Sequence, residues 1–169
     1  MNSATDSVVT LISGISGDVF GVVGLIILLI ALGLSKGKDN LLVLMISLYP
    51  SALLTEYFPF YDSVLLGNGH LSKVLTPLAV YLISAFAISF FLHNYIDTNY
   101  QHSAFWRFVE IFVLSLSIVG ISIAVFYHIV GIEPLYNFSF VFDALFASNF
   151  AMFLWLLLPI VSIPLFIRA

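Results

Sequence analysis

The sequence has no cysteine and very little charge. Without cysteine there can be no disulfide, no thiolate metal site and no palmitoylation. Only 8% of the 169 residues are Asp, Glu, Lys or Arg, against roughly a quarter in an ordinary soluble domain. The five Lys+Arg and nine Asp+Glu give a formal net charge of -4 and are scattered singly. No basic tract is present to hold nucleic acid or anionic headgroups, so no nucleic-acid partner is expected. Met1 to Ser7 contains no Lys or Arg, so the positive n-region of a cleavable signal peptide is missing and the first hydrophobic segment is expected to stay attached. Catalytic signatures are missing as well: there is no Gly-rich phosphate loop, GxSxG, HExxH or CxxC, and no pair of carboxylates on one helical face. The histidines, at 70, 93, 102 and 128, are too dispersed for a metal site. These absences predict a protein that is not an enzyme and needs no cofactor and no metal.

What the sequence has in abundance is apolar surface. Hydrophobic residues make up 62% of the chain and the mean hydropathy is +1.14. A chain of this size folded in water needs far more polar residues to cover its outside. Lipid is the solvent that fits, and the fold class predicted is all-α: a polytopic helical membrane protein in a single transmembrane domain. A spanning helix needs about 20 mostly apolar residues. Five segments qualify, at about 15–35, 41–60, 74–92, 105–130 and 144–167. The polar run Ser35 to Asn40 ends the first. The second contains Pro50, Pro59 and Glu56, so it reads as kinked or re-entrant. Tyr61 to Ser72 and His93 to Ser103 separate the next segments, and Gly131-Ile132-Glu133-Pro134 stops the fourth. Pro159 and Pro164 fall in the last turns of the fifth.

Basic residues near segment ends predict the orientation. With five spans and the N-terminus outside, Lys36, Lys38, Arg107 and Arg168 face the cytoplasm and only Lys73 does not. The C-terminus is then cytoplasmic. Aromatic residues at segment ends, such as Tyr61, Tyr100, Trp106 and Tyr136, read as an interfacial belt.

Three constellations are candidates for function. Gly14, Gly17, Gly21 and Gly24, continued by Leu28 and Ala31, advance in steps of three and four and share one face of the first helix. Small-residue stripes of this kind let another helix backbone approach closely in lipid. The face is therefore either a packing seam within the chain, an oligomer interface or the lining of a pore. Gly120 with Ala124, and Ala85 with Ser89, are weaker seams. Glu56 is the second candidate, because an ionisable residue inside a span is costly to bury and is a functional suspect by default. The preferred topology puts His128 at the same depth, which makes Glu56 and His128 a candidate intramembrane polar pair. The third is Arg107 with Glu110, three residues apart on a helix and so expected to neutralise one another as an interfacial ion pair. Asp18, near the start of the first span, reads as a helix-end charge. The sequon Asn137-Phe138-Ser139 carries little weight.

Asp18 ahead of the first span, followed by the basic-glycine break Lys36-Gly37-Lys38 and an irregular second apolar segment, resembles the colicin V production family of small bacterial inner-membrane proteins. The resemblance covers about the first 60 residues of the chain. It implies residence in a bacterial inner membrane and an association with export or envelope homeostasis, with no catalytic residues to carry over. The function expected from these readings is that of a non-enzymatic membrane scaffold or accessory subunit. Its partners are the lipid bilayer and either further copies of itself or another membrane protein. The alternative is a small oligomeric channel or transporter with the first-helix glycine face, Glu56 and Ser47 along its pathway.

Overall fold

The computed structural model describes residues 17–61, 70–96, 104–131 and 139–167. Among the described residues every regular element is helical. The helices are α1 (Gly17–Lys36), α2 (Lys38–Glu56), α3 (His70–Leu92), α4 (Ala104–Val125), α5 (Phe140–Phe146) and α6 (Asn149–Ile167), and α4 runs on into a π-helical turn at Phe126–Val130. Among the described residues three stretches are long and apolar enough to cross a membrane: Val19–Lys36, Ser72–Leu92 and Phe105–Val130.

The centre of the bundle is α4. It packs against α1, α2 and α6, and its π turn touches α2 and α3. The share of buried residues in its apolar stretch is 61%, against 11% in that of α1 and 22% in that of α3. Ile111, Leu114, Ile118, Val119 and Ile121 of α4 join Leu41, Met45 and Leu48 of α2 and Tyr81 of α3 in one core. The outer faces are apolar too. Phe20, Ile27 and Leu28 of α1, Ile83, Phe86 and Phe90 of α3, and Phe150, Phe153 and Ile160 of α6 are all exposed. A surface this apolar is unfavourable in water and compatible with hydrocarbon.

The most enclosed polar groups lie inside. Helix α2 carries Ser47, Ser51 and Thr55 at four-residue steps, all buried. Each hydroxyl donates to a carbonyl of the preceding turn: Ser47 to Leu44 at 2.6 Å, Ser51 to Ser47 at 2.7 Å and Thr55 to Ser51 at 2.8 Å. A hydroxyl satisfied by its own helix can be buried without a neighbour's help. With Leu41, Met45, Leu48 and Ala52 buried as well, α2 is covered on most of its circumference, which is why its polar residues need not segregate to one side. The tyrosine hydroxyl of Tyr49 ties α2 to α6 by donating to the Leu156 carbonyl at 2.6 Å.

Several boundaries differ from the sequence-based expectations, each for a local reason. Helix α2 continues through Pro50 to Glu56. Gly37, with φ of 97°, permits the immediate reversal from α1 into α2. Its amide donates to Gly33 O at 3.1 Å, and Asn40 Nδ2 donates to Lys36 O at 3.1 Å, so the frayed end of α1 is satisfied within the turn. The last segment, expected to be continuous from 144, is split into α5 and α6. Ser148 is the reason: its hydroxyl accepts the Ala151 amide at 3.0 Å and caps a new helix there.

Candidate functional site

The bundle has two ends with charged groups, and the fold builds them differently. One end holds the start of α2 and the start of α4. Lys38, the first residue of α2, reaches Glu110 in the second turn of α4, with Nζ 2.8 Å from Oε2. The Glu110 side chain is 3% exposed and that of Lys38 is 18% exposed. The close approach of three helices here depends on Gly33 of α1. A Cβ at that position would lie 2.6 Å from Leu41 Cδ1 and 2.8 Å from Ile111 Cγ2.

This geometry corrects one sequence-based expectation. Glu110 makes its ion pair across the bundle with Lys38, while Arg107, the expected partner, is exposed. Spacing of three along a helix brings two residues close, but here the carboxylate turns to the buried side and Arg107 stays on the outside. Lys38 was legible in the sequence only as a topology marker.

The other end holds the end of α2, the π turn and the start of α6. A cavity of about 330 Å³ opens there. Its polar lining is Thr55, Glu56, Tyr61, His128 and Asn149, and its apolar lining is Pro77, Ile129 and Met152. Glu56 is exposed and His128 is half-buried. The two share the cavity wall, although no ion pair joins them among the described residues.

His128 owes its position to the π turn. The amide of Gly131, in the left-handed region at φ 67°, bonds back to Phe126 O and closes the wide turn. Widening at this point swings two adjacent side chains onto α5. Tyr127 donates from its hydroxyl to Asp143 Oδ1 at 3.0 Å. His128 Nε2 lies 2.9 Å from Phe146 O. A carbonyl only accepts, so Nε2 carries the proton in this bond, and in the neutral ring Nδ1 keeps the lone pair. Trp155 of α6 donates from Nε1 to the adjacent Leu145 O at 3.1 Å. The short helix α5 thus has its terminal carbonyls satisfied from outside. Phe146 also stacks on Trp155, with ring centroids 5.1 Å apart. The Trp155 ring in turn fills the space above Gly120, where a Cβ would come within 2.0 Å of it. Gly120 with Ala124 therefore packs α6 onto α4.

Tyr61 is fixed by an edge-on contact with Phe58, at 5.1 Å between centroids, and by its hydroxyl donating to Thr55 O. Burial pushes its phenol above the ordinary value, which keeps the donor proton in place.

The glycine face of α1 stands apart from both ends. Gly17, Gly21 and Gly24 have nothing within 4 Å of where a Cβ would be, and all three are exposed, as is Ala31. Gly14 lies outside the described residues, as do Arg168 and the side chain of Asp18. Among the described residues, nothing packs onto the stripe at Gly17, Gly21 or Gly24. Ser47, expected beside it in a pore, sits in the core with its hydroxyl bonded to Leu44 O. Among the described residues no group of three or more His, Asp or Glu could hold a metal ion.

Comparison with known proteins finds no matching family, no matching curated protein and no matching solved structure.

Proposed function

We propose that this chain is an integral membrane scaffold or accessory subunit that assembles through the open face of α1, with further copies of itself or with another membrane protein. One contrast supports that reading above the others. Gly33 and Gly120 are closed against neighbouring side chains, whereas Gly17, Gly21 and Gly24 face open space. Glycines on a helix surface leave a shallow groove in which a second helix backbone can lie, and in lipid that close contact drives association. Leu25, Leu28 and Leu32, exposed on the same helix, supply flanking apolar area.

The topology proposed with it has five spans, with α2 crossing inside the bundle and α6 completing it. Helix α2 has 19 residues, about 28 Å at 1.5 Å per residue, which matches a hydrocarbon core of about 30 Å. Its hydroxyls and Lys38 are enclosed by α1, α3 and α4, so it meets little lipid directly. The N-terminus outside, the C-terminus in the cytoplasm and a bacterial inner membrane belong to the same proposal. So does the export or envelope role implied by the resemblance to the colicin V production family. An oligomeric channel with the glycine face turned to water is the alternative.

Gly21→Leu tests the assembly. The space above Gly21 is empty, so the variant should fold as well as the parent while its oligomer in detergent or in lipid nanodiscs falls apart, read by mass photometry or single-molecule bleaching. Persistence of the oligomer, or a monomeric parent, defeats the reading. Single cysteines replacing Ser35, Asn68, Thr98 and Leu135 test the topology, since the native chain has none. Labelling of 35 and 68 from the same side rules out five spans. Extending the probes from 17 to 31 separates a face that is shielded from one that is wet.

A further inference from the structure

The cavity at the Glu56 end has an unusual balance of hydrogen-bonding groups. It is lined by three side chains that can donate through a hydroxyl or a ring N–H, and all three are committed to backbone carbonyls. Thr55 donates to Ser51 O at 2.8 Å. Tyr61 donates to Thr55 O. His128 donates from Nε2 to Phe146 O, 2.9 Å away. What remains is lone pairs: those of two oxygens and, whenever the imidazole carries a single proton, that of Nδ1. The carboxylate of Glu56 adds a negative charge, and no ion pair holds it among the described residues. The Asn149 side chain, which also lines the cavity, can accept through its oxygen. A wall rich in acceptors, with one negative charge and its hydroxyl and ring N–H donors already used, is complementary to a cation that brings its own hydrogens; the Asn149 amide can turn its oxygen to such a ligand.

We propose that this cavity binds a primary ammonium group. The three N–H bonds of an ammonium match the acceptors that line this cavity, and Glu56 supplies the opposite charge. Ile129 and Met152 give the attached carbon an apolar wall. A bare divalent cation fits less well. Hard cations of that kind take six or more oxygen ligands, usually from several carboxylates, and among the described residues Glu56 is the one carboxylate in the lining. The volume of about 330 Å³ lies at the small end of ligand cavities, which run from about 300 to 1,000 Å³, and suits a headgroup-sized ligand. The ammonium can belong to a free small amine or to the ethanolamine headgroup of a phospholipid. The second source rests on the five-span reading above, which sets this end of the bundle at headgroup level; the first does not.

The protein contains its own reporter. Trp155 is stacked on Phe146, whose carbonyl holds His128, and Trp106→Phe leaves Trp155 as the sole indole. In that background the full chain is placed in nanodiscs of phosphatidylcholine, whose quaternary nitrogen has no N–H to donate, or of phosphatidylethanolamine. Ethanolamine and the neutral N-acetylethanolamine are titrated into both, with Trp155 fluorescence and the thermal midpoint read in parallel. In phosphatidylcholine discs ethanolamine should give a saturable response and N-acetylethanolamine none, and Glu56→Gln should raise the half-saturating concentration tenfold or more. A signal already at its end point in phosphatidylethanolamine discs identifies the headgroup as the source, and equal titrations in both discs identify a free amine. The proposal is overturned if Glu56→Gln responds like its parent, if the acetylated compound acts equally well, or if neither readout moves in any arm. Glu56 is exposed, so its glutamine variant should fold. A failure here leaves the α1 assembly untouched, because Gly21→Leu is scored on a different face.

Discussion

At one end of the bundle the carboxylate of Glu110 is closed in against Lys38, with 3% of its side chain exposed. At the other end Glu56 stands exposed on a cavity wall. Both residues sit on helices that meet in the core, and both are flanked by aromatic and aliphatic side chains. The difference lies in what the helix ends do around them. Near Lys38 the chain reverses over a single glycine, and Gly33 lets α1, α2 and α4 converge until the charge has nowhere else to go. Near Glu56 the π turn widens α4, and α5 is interposed before α6, so the helices splay and leave a space. A closed carboxylate of this kind holds helices together. An open one is available to a ligand.

The sharpest way to break the comparison is to remove one charge from the closed end. Lys38→Met breaks the buried Lys38–Glu110 ion pair and should destabilise the protein by about 3–5 kcal/mol, measured by chemical denaturation in micelles. The double variant Lys38→Met with Glu110→Leu should recover most of that loss. If Lys38→Met is silent, the two ends do not differ in the way described. Next in size is Gly120→Ala, which forces its methyl into the Trp155 ring; overpacking of this sort costs about 1–3 kcal/mol. Gly21→Ala, on the open face, should stay within about 0.5 kcal/mol under conditions where the chain is monomeric. At the open end, Tyr61→Phe removes the bond to Thr55 O and should cost about 0.5–1.5 kcal/mol by the same assay. Smallest of all, Glu56→Gln should change stability by less than about 0.5 kcal/mol. A large loss there would mean that Glu56 is held by a structural partner after all.

Much of the helical layout is legible in the sequence, because runs of apolar residues broken by Gly, Pro and charge are a strong signal. The break at Lys36-Gly37-Lys38 and the stop at Gly131 can be read without the structure, and so can the nearness of Glu56 and His128, which line one cavity. The partner of Glu110 cannot. Spacing rules see neighbours three and four residues apart and so point to Arg107, whereas Lys38 becomes a neighbour only after α2 and α4 have packed. The split between α5 and α6 is a finer case. Ser148 is a good capping residue, but it sits between apolar stretches that look continuous to a hydropathy scale. The glycines divide along the same line. Gly33 and Gly21 look alike as sequence, and only the positions of Leu41, Ile111 and α1 itself decide which is filled and which is open.

The pairing of Lys38 with Glu110 has a consequence for the order in which the chain is made. The two residues are 72 positions apart, so α2 is synthesised long before the group that neutralises its first residue exists. In the five-span topology proposed above, Lys38 stays with the water at the membrane surface or with the insertion machinery until α4 emerges, because an unpaired charge is strongly disfavoured in hydrocarbon. On that topology α2 completes its packing late, although it comes early in the chain. Ribosome-stalled intermediates truncated before Glu110 should leave it loosely inserted, and those truncated beyond it should not.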